Sequence, residues 1–264
     1  MLIKIDMHVH TTHSDGLMTV RRAIDEAQRR GLQGIAVSDH NTFHGAQEAL
    51  ELSIRDFLIV PSAEYSTTQG HMLAFFVCKD AKDSGVFHRG GLFDFDEIRL
   101  FTGENGGMLF MAHPFRGGAP GAELIKKLSG VEIFNGRNSS KGTDWNQSAA
   151  QLCRSESLPF CAGSDAHTRG ELASAYRIFD FPHDRLCSLC ELADMLAEPF
   201  GQYFGRYSPY TLQGTSTLLR SFRIKAPRHA VRGAAKTAVG LFKDAAFMMK
   251  KENAELSKGC VYRI

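Results

Sequence analysis

Two histidines separated by a single residue give the first indication of chemistry in this chain. The segment KIDMHVHTTHSDG (residues 4–16) places His8 and His10 two positions apart in what looks like the first strand. Side chains two apart on a strand point to the same face, and two adjacent imidazoles form half of a metal site. The competing interpretation is a pair of core histidines satisfied by hydrogen bonds. Asp15 follows in a turn-like SDG, where a routine turn aspartate is the alternative.

Other apolar runs also carry ligand-type side chains at or near their ends. Glu64 is the most informative, because a buried glutamate without a partner is costly or stays protonated, and a metal cluster removes that problem. Nine imidazole or carboxylate ligands around one pocket are enough for two or three divalent ions, with Mn, Fe and Zn all compatible. The nine candidate metal ligands are His8, His10, Asp15, His40, Glu64, His71, His113, Asp165 and His167.

Seven short apolar runs are predicted to be the strands that position these residues. Helical patterns separate most of them, as in residues 19–31, where Thr19 offers an N-terminal cap and Gly31 a stop. Strands that alternate with helices predict a parallel sheet, and seven strands suit a closed or nearly closed α/β barrel. The polar clusters fall at the strand ends that carry the active site in such barrels. The predicted strands are residues 2–8, 34–40, 57–64, 71–77, 107–114, 131–136 and 159–167.

The order of these motifs (HxH, SDG, DH, E, GH, AHP, DxH) resembles the PHP (polymerase and histidinol phosphatase) domain family over about residues 1–195. The resemblance implies a distorted (β/α)7 barrel and three metal positions. None of the implied ligands is missing, so nothing in the sequence argues for an inactive site. The implied positions are His8, His10, Glu64 and Asp165 for one metal, Glu64, His71 and His113 for a second, and Asp15, His40 and His167 for a third.

The implied activity is metal-dependent hydrolysis of phosphate esters by a metal-bridged hydroxide. Glu64 would act in catalysis as the bridging carboxylate, and the substrate would be a small phosphorylated metabolite or a nucleotide. The alternative is a non-catalytic, metal-stabilised module that docks nucleic acid or a partner protein through a basic tail. A hydrolase for a bond other than a phosphate ester is a further option on the same barrel.

Three residues near the predicted mouth are candidates for substrate contacts. Arg116 follows His113 by three positions, and a guanidinium there could hold a phosphate by two hydrogen bonds in a catalytic and binding role. A surface arginine is the alternative. Asn135 and Arg137 end the sixth strand and are further substrate-binding candidates, although Asn135 could instead position Asp or His ligands.

Some residues of ligand type are not expected to bind metal. His13 lies in the variable part of the first motif, and His44 and His88 lie outside the ligand pattern. Cys187 and Cys190 are three apart in a helical pattern, which favours a buried helix face over a zinc or redox site.

Composition divides the chain into an acidic body and a basic tail. Residues 201–264 hold 12 Lys and Arg against 3 Asp and Glu, a net charge of +9, whereas the remaining residues carry −7. We expect a barrel domain at 1–199 and a basic, mainly helical extension at 200–264. No apolar run of about 18 residues and no secretion signal are visible, so the expectation is a cytoplasmic protein without a membrane span.

The tail has three competing uses. Residues 228–255 read as one or two amphipathic helices, with an apolar stripe beside a cationic face. The expected use is packing of the stripe on the outer helices of the barrel. The others are contact with nucleic acid or a phosphorylated substrate near the mouth, and docking to an anionic membrane. Because only 42 positions separate His71 from His113, little room remains for a lid there, although the tail could cover the mouth.

Overall fold

The computed structural model describes residues 1–86, 88–138, 144–249 and 259–264. Its elements follow in chain order: β1 (Leu2–Val9), α1 (Val20–Arg29), β2 (Gly34–Val37), α2 (His44–Glu51), β3 (Leu58–Thr67), β4 (Gly70–Phe75), β5 (His88–Arg89), β6 (Leu92–Phe93), α3 (Phe95–Glu104), β7 (Met108–Met111), α4 (Ala122–Ile125), β8 (Gly130–Asn135), α5 (Trp145–Glu156), β9 (Phe160–Gly163), β10 (Ala175–Asp180), α6 (Leu189–Leu196), β11 (Gln202–Gly205), α7 (Tyr210–Arg223), α8 (Pro227–Met249) and β12 (Cys260–Arg263).

Eight of these strands close into a barrel. They follow the order β1, β2, β3, β4, β7, β8, β9, β10, and β10 pairs back onto β1 in antiparallel register from Leu2↔Asp180 to Ile5↔Arg177. All seven predicted strands are present, and the distorted (β/α) barrel is confirmed. The eighth strand, β10, was not predicted, and it is the one that closes the ring.

Antiparallel pairs distort the barrel. β1, β2 and β3 run parallel, as do β7, β8 and β9, but β4 is antiparallel to both of its neighbours, and β10 is antiparallel to β9 and β1. The expected parallel sheet is therefore wrong at these two strands. β3 and β4 are joined by residues 68–69 alone, which is too short for a helical crossover. The hairpin places His71, at the start of β4, opposite Ser66 near the end of β3.

Buried apolar side chains cover both faces of the strands. One cluster combines Ile35 and Ile59 of the strands with Ile24 of α1 and Phe101 of α3. Another cluster joins apolar residues of β1, β3, β4 and β7 with α6. Burial on both faces explains why the strands read as continuous apolar runs. Within the described ranges, no helix is long and apolar enough to cross a bilayer.

The segment after residue 200 contributes strands as well as helices. β11 pairs with β10, and β12 pairs with β11, both antiparallel, so the sheet continues beyond the barrel. The domain division at residue 200 stays a prediction. Helix α8 runs without interruption through Gly233 and Gly240, because both glycines sit against α7. A Cβ on Gly233 would lie 2.5 Å from the Leu218 backbone, and one on Gly240 would lie 2.8 Å from the Thr211 backbone.

The expected packing of the apolar stripe of α8 on the outer helices of the barrel is wrong. Val231, Leu241 and Phe242 are 73%, 60% and 79% exposed. The helix is instead held by α7, and its cationic face lines the cavity above the barrel mouth. The rest of the predicted 228–255 helical stretch, including Lys250, Lys251 and Glu252, lies outside the described residues.

Candidate metal centre at the barrel mouth

The nine predicted ligands meet at one end of the barrel. His8 lies on β1 and His10 directly after it, Glu64 lies on β3 and His71 on β4, and the others follow β1, β2, β7 and β9 in loops. His113 and Asp165 have positive φ values of 30° and 53°, which are uncommon for residues other than glycine and turn the chain sharply at the strand ends. Ligand atoms lie within 4.8 Å of one another in three groups: His10, Asp15, His40 and His167; His8, His10 and Asp165; and His40, Glu64 and His71.

The Glu64 carboxylate is the centre of the cluster. It is only 1% exposed, and both of its oxygens face imidazole nitrogens. This arrangement is what a bridging ligand requires, because each oxygen serves a different set of histidines. Oε1 is 2.8 Å from His71 Nδ1 and 3.1 Å from His113 Nε2, while Oε2 is 3.0 Å from His40 Nδ1 and 3.3 Å from both His8 Nε2 and His10 Nε2.

Burial and charge oppose each other in this cluster. Burial alone would raise the pKa of Glu64, but the imidazoles of His40 and His8 hold that pKa well below its usual range. Burial would lower the pKa of His10, but its bonds to Asp165 and Glu64 raise that pKa to about 10. The carboxylates thus stay ionised and demand positive charge at the centre of the site. Imidazole protons or divalent cations can supply it.

Four buried polar atoms in the cluster contact ionisable neighbours but have no well-aligned hydrogen bond among the described residues. They are His10 Nδ1, Asp15 Oδ1, His40 Nδ1 and Glu64 Oε2. Buried polar groups are normally paired by well-aligned hydrogen bonds, so four without one in the same place favour a bound ligand over a purely structural histidine cluster. Imidazole and carboxylate donors together suit Mn, Fe or Zn, so the residues fit the implied metals.

These three groups differ from the three sets of metal ligands that the resemblance implies, because some residues belong to two groups. His10 joins the group of Asp15, His40 and His167, and His40 also joins Glu64 and His71. His113 reaches the cluster through Glu64. The number and identity of the ions stay predictions.

Glu132 is a supporting residue that the sequence interpretation missed. Its Oε1 lies 2.9 Å from His8 Nδ1, and its Oε2 accepts from the His113 backbone N–H at 2.7 Å and from Asn135 Nδ2 at 3.0 Å. Glu132 is 1% exposed. The signal was available, because Glu132 interrupts the apolar run of β8 as Glu64 interrupts that of β3.

Replacing Glu132 by Gln should weaken metal binding by about 10- to 100-fold, the usual cost of losing a residue that orients a ligand. Glutamine keeps the shape but removes the charge that holds His8 with Nε2 facing the cluster. Titration of the metal-free protein with Mn²⁺ measures the effect. Glu123→Gln, on the exposed α4, is the control. Equal Mn²⁺ affinity in Glu132→Gln and wild type would contradict this role.

The three substrate-binding candidates occupy different positions. Arg116 lines the cavity, is about half-exposed, and places Nη1 3.8 Å from Asp165 Oδ2. Arg137 also lines the cavity, but its guanidinium contacts Glu171, His167 and Ser216. Asn135 is fully buried beneath the site and donates to Asp165 Oδ2 at 3.3 Å, as expected of a residue that positions ligands. Their roles toward substrate stay predictions.

Four of the other ligand-type residues can be placed. His13 contacts Glu48 at the surface, and His44 contacts Thr42, so neither joins the cluster. Cys187 is buried and Cys190 exposed, both as free thiols. The side chain of His88 lies outside the described part of the structure.

A cavity of about 1260 Å³ opens above the cluster. Barrel loops form its floor, and α7 and α8 form its roof, which we call the helical roof (residues 210–249). The roof supplies several cations to the lining, and the single tryptophan of the chain, Trp145, lies at its wall. The segment between His71 and His113 leaves little room for a lid, and the tail covers the mouth of the barrel instead. The roof cations in the lining are Arg220, Arg232, Lys236 and Lys243.

Two family models match the parts of the chain that build this mouth. The PHP domain matches residues 6–58, which carry His8, His10, Asp15 and His40, and the PHP-associated domain matches residues 143–196. Residues 6–58 and 143–196 thus carry the PHP domain and the PHP-associated domain. The resemblance read from the motif order is confirmed.

Two curated proteins match parts of this chain. An uncharacterized protein of Methanocaldococcus jannaschii is 28% identical over 149 residues, which cover 50% of this chain and 82% of that protein. A phosphoribosyl 1,2-cyclic phosphate 1,2-diphosphodiesterase of Eggerthella lenta is 40% identical over 50 residues, only 19% of each chain.

Solved structures share the fold of this chain at low sequence identity. PsfC of Pseudomonas syringae has a TM-score of 0.60 at 17% identity and covers 84% of this chain and 99% of its own. A two-domain protein of Bacteroides vulgatus, described as containing a predicted PHP-like metal-dependent phosphoesterase, has a TM-score of 0.53 at 22% identity over 64% of this chain. The chain spans about half of that protein, 53%.

Proposed function

We propose that this PHP protein is a metal-dependent phosphoesterase that hydrolyses a small phosphorylated metabolite or a nucleotide. The observation that carries the proposal is the convergence of nine candidate imidazole and carboxylate ligands under a cavity whose lining includes arginine and lysine. The Eggerthella lenta and Bacteroides vulgatus proteins, described as a diphosphodiesterase and as PHP-like metal-dependent phosphoesterase, support the same class.

The residues present divide the work of such a reaction. The nine ligands would hold two or three divalent ions, with Glu64 shared between two of them. Bound metal ions supply acidification of a water molecule and compensation of negative charge on phosphate oxygens. The residues of the chain then have to attract an anionic substrate to a site rich in carboxylates and orient its phosphate for in-line attack.

Arg116 is the best placed residue for holding the phosphate. Its guanidinium is half-exposed, lines the cavity, and has no described anionic contact closer than 3.8 Å, to Asp165. A guanidinium offers two parallel N–H donors to phosphate oxygens and stays charged at any working pH. Arg137 is less free, because Glu171 and His167 already occupy it.

The cations of the helical roof offset, above the site, the negative electrostatic potential of the acidic body. Arg232 and Lys236 of α8 line the cavity, and no ion pair is described for either. Cations on the wall of a cleft raise the local concentration of anionic substrates. Because these cations face the cavity, their position favours the enzyme over a binding module that docks nucleic acid or a protein through an outward-facing tail.

The test is turnover by the full chain after removal of metals and reloading with Mn²⁺, Fe²⁺ or Zn²⁺. We expect hydrolysis of p-nitrophenyl phosphate or its bis-ester by the loaded protein, loss of turnover with a chelator, and recovery on reloading. A metal-loaded, folded protein that hydrolyses neither ester, nor a panel of sugar phosphates and nucleotides, would contradict the proposal.

A further inference from the structure

The loop that carries Asp15 is held from two sides. On the barrel side, Asp39 accepts from the Thr11 backbone N–H at 2.8 Å and from the Ser14 hydroxyl at 2.5 Å. On the other side, Arg223 of α7 donates to the backbone carbonyls of Ser14 and Gly16 at 2.7 and 2.8 Å. A helix more than 200 residues away in sequence therefore fixes the backbone on either side of Asp15.

A second arginine of α7 contacts Asp15 itself. Arg220 Nη1 lies 3.3 Å from Asp15 Oδ2. The other oxygen, Oδ1, is buried and faces the imidazoles of the cluster. It is 3.0 Å from His167 Nε2, 3.6 Å from His40 Nε2 and 3.9 Å from His10 Nδ1. One oxygen of Asp15 is thus assigned to the guanidinium and the other to the ligand group.

Helix α7 is held in place by hydrogen bonds to the barrel and to α8, so it can fix the position of the Asp15 loop. Gln213 donates to the carbonyl of Arg137 at 3.0 Å, and Ser216 accepts from the Arg137 guanidinium at 2.9 Å. At its N-terminus, Asp244 of α8 accepts from the backbone N–H groups of Tyr210 and Thr211 at 2.7 and 2.9 Å. The position of α7 is therefore set by the barrel at one face and by α8 at its start.

We propose that Arg220 and Arg223 are positioning residues for Asp15, so that the C-terminal extension completes the metal position formed with His10, His40 and His167. This inference rests on the proposed metal-dependent function. A carboxylate on a loop loses freedom when it binds a metal ion, and that loss weakens binding. Arg220 and Arg223 restrict the loop and the carboxylate in advance and leave Oδ1 for the ion.

The test compares Mn²⁺ binding by full-length variants, with metal content and affinity as readouts that do not depend on turnover. Arg220→Ala should weaken the binding of one ion by about 10- to 100-fold and leave the other sites at wild-type affinity. Arg220→Lys, which keeps a positive charge, should recover part of the loss. Arg228→Ala, at an exposed arginine of α8 without a described ion pair, is the matched control and should bind as wild type.

A double-mutant cycle separates positioning from a merely structural role. Asp15→Asn should lose the same ion, and adding Arg220→Ala to it should cost little more, because the two residues act on one ligand. The melting temperature of the metal-free protein should be equal in Arg220→Ala and Arg228→Ala.

Several outcomes would overturn the inference. They are unchanged Mn²⁺ affinity in Arg220→Ala, additive losses in the cycle, and equal weakening of all ions together with a lower melting temperature. A wild-type protein that binds no Mn²⁺, Fe²⁺ or Zn²⁺ would instead overturn the proposed function, and the inference with it.

Discussion

Glu64→Gln is expected to abolish turnover and to lower metal content more than any other single substitution in the site. Both oxygens of Glu64 face imidazoles, five in all, within 3.3 Å. Glutamine keeps the shape but replaces one of these oxygens with an N–H donor and removes the shared negative charge. The loss of metal affinity should exceed the about 10- to 100-fold typical of a residue that only orients a ligand. Elemental analysis after Mn²⁺ loading, together with turnover, measures the effect.

A matched control exists near the same mouth. Glu48 contacts His13, and both side chains are partly exposed outside the ligand groups. Glu48→Gln should keep wild-type metal content and activity. If Glu64→Gln retained its metals and its turnover, Glu64 would not be the bridging ligand.

The second large effect is expected for Arg116→Ala, which should lower kcat/KM for a phosphomonoester by about 1–3 kcal/mol, roughly 5- to 150-fold. The physical reason is the loss of a charged hydrogen bond to phosphate at the floor of the cavity, beside the carboxylates of the cluster. Metal content should stay unchanged, because Arg116 contacts the cluster only at 3.8 Å from Asp165.

Arg21→Ala is the control for this substitution, since Arg21 is exposed on α1 and, among the described residues, forms an ion pair with Asp25 alone. Steady-state kinetics and metal analysis on the three proteins separate substrate binding from metal binding. Unchanged kcat/KM in Arg116→Ala would return Arg116 to the status of a surface residue, and a fall in metal content would assign it to the metal site instead.

The position of the nine ligands could be predicted from the sequence because it depends on local rules. His8 and His10 share a face through the two-residue period of a strand, and the remaining ligands lie where strands end. His71 lies at the start of β4 rather than at its end, but the β3–β4 hairpin brings the start of β4 next to the end of β3, so His71 reaches the same mouth. Glu132 carried the same signal as Glu64, a carboxylate in an apolar run, and could have been identified by the same argument.

β10 could not be predicted locally, because Arg177 lies in its middle and argues against a buried strand. In the structure Arg177 is 2% exposed, its guanidinium lies 3.4 Å from the Phe160 ring centroid, and it donates to the carbonyls of Phe160 and Phe200. These partners are 17 and 23 residues away, so the compensation for burying the charge is tertiary.

The orientation of α8 could not be predicted from the sequence either, because it also depends on a tertiary contact. Its sequence shows an apolar face and a cationic face, and the usual expectation is that the apolar face is buried. The contact with α7 is made by Gly233 and Gly240 instead, which lie between those two faces and allow close backbone approach. The pattern of apolar and charged side chains does not show that the glycine face of a helix will be the one that packs on its neighbour.

The antiparallel pairing of β1 with β10 has a consequence for how the protein is made. β1 is synthesised well before its partner β10, which ends at residue 180, and before Asp165, which contacts His8 and His10. At translation rates of about 5–20 residues per second, the ligand-bearing N-terminal strand waits roughly 10–30 s for that partner. During this interval β1 can pair with β2 at one edge, but its other edge, which β10 covers in the folded barrel, stays unpaired on the nascent chain and open to chaperones.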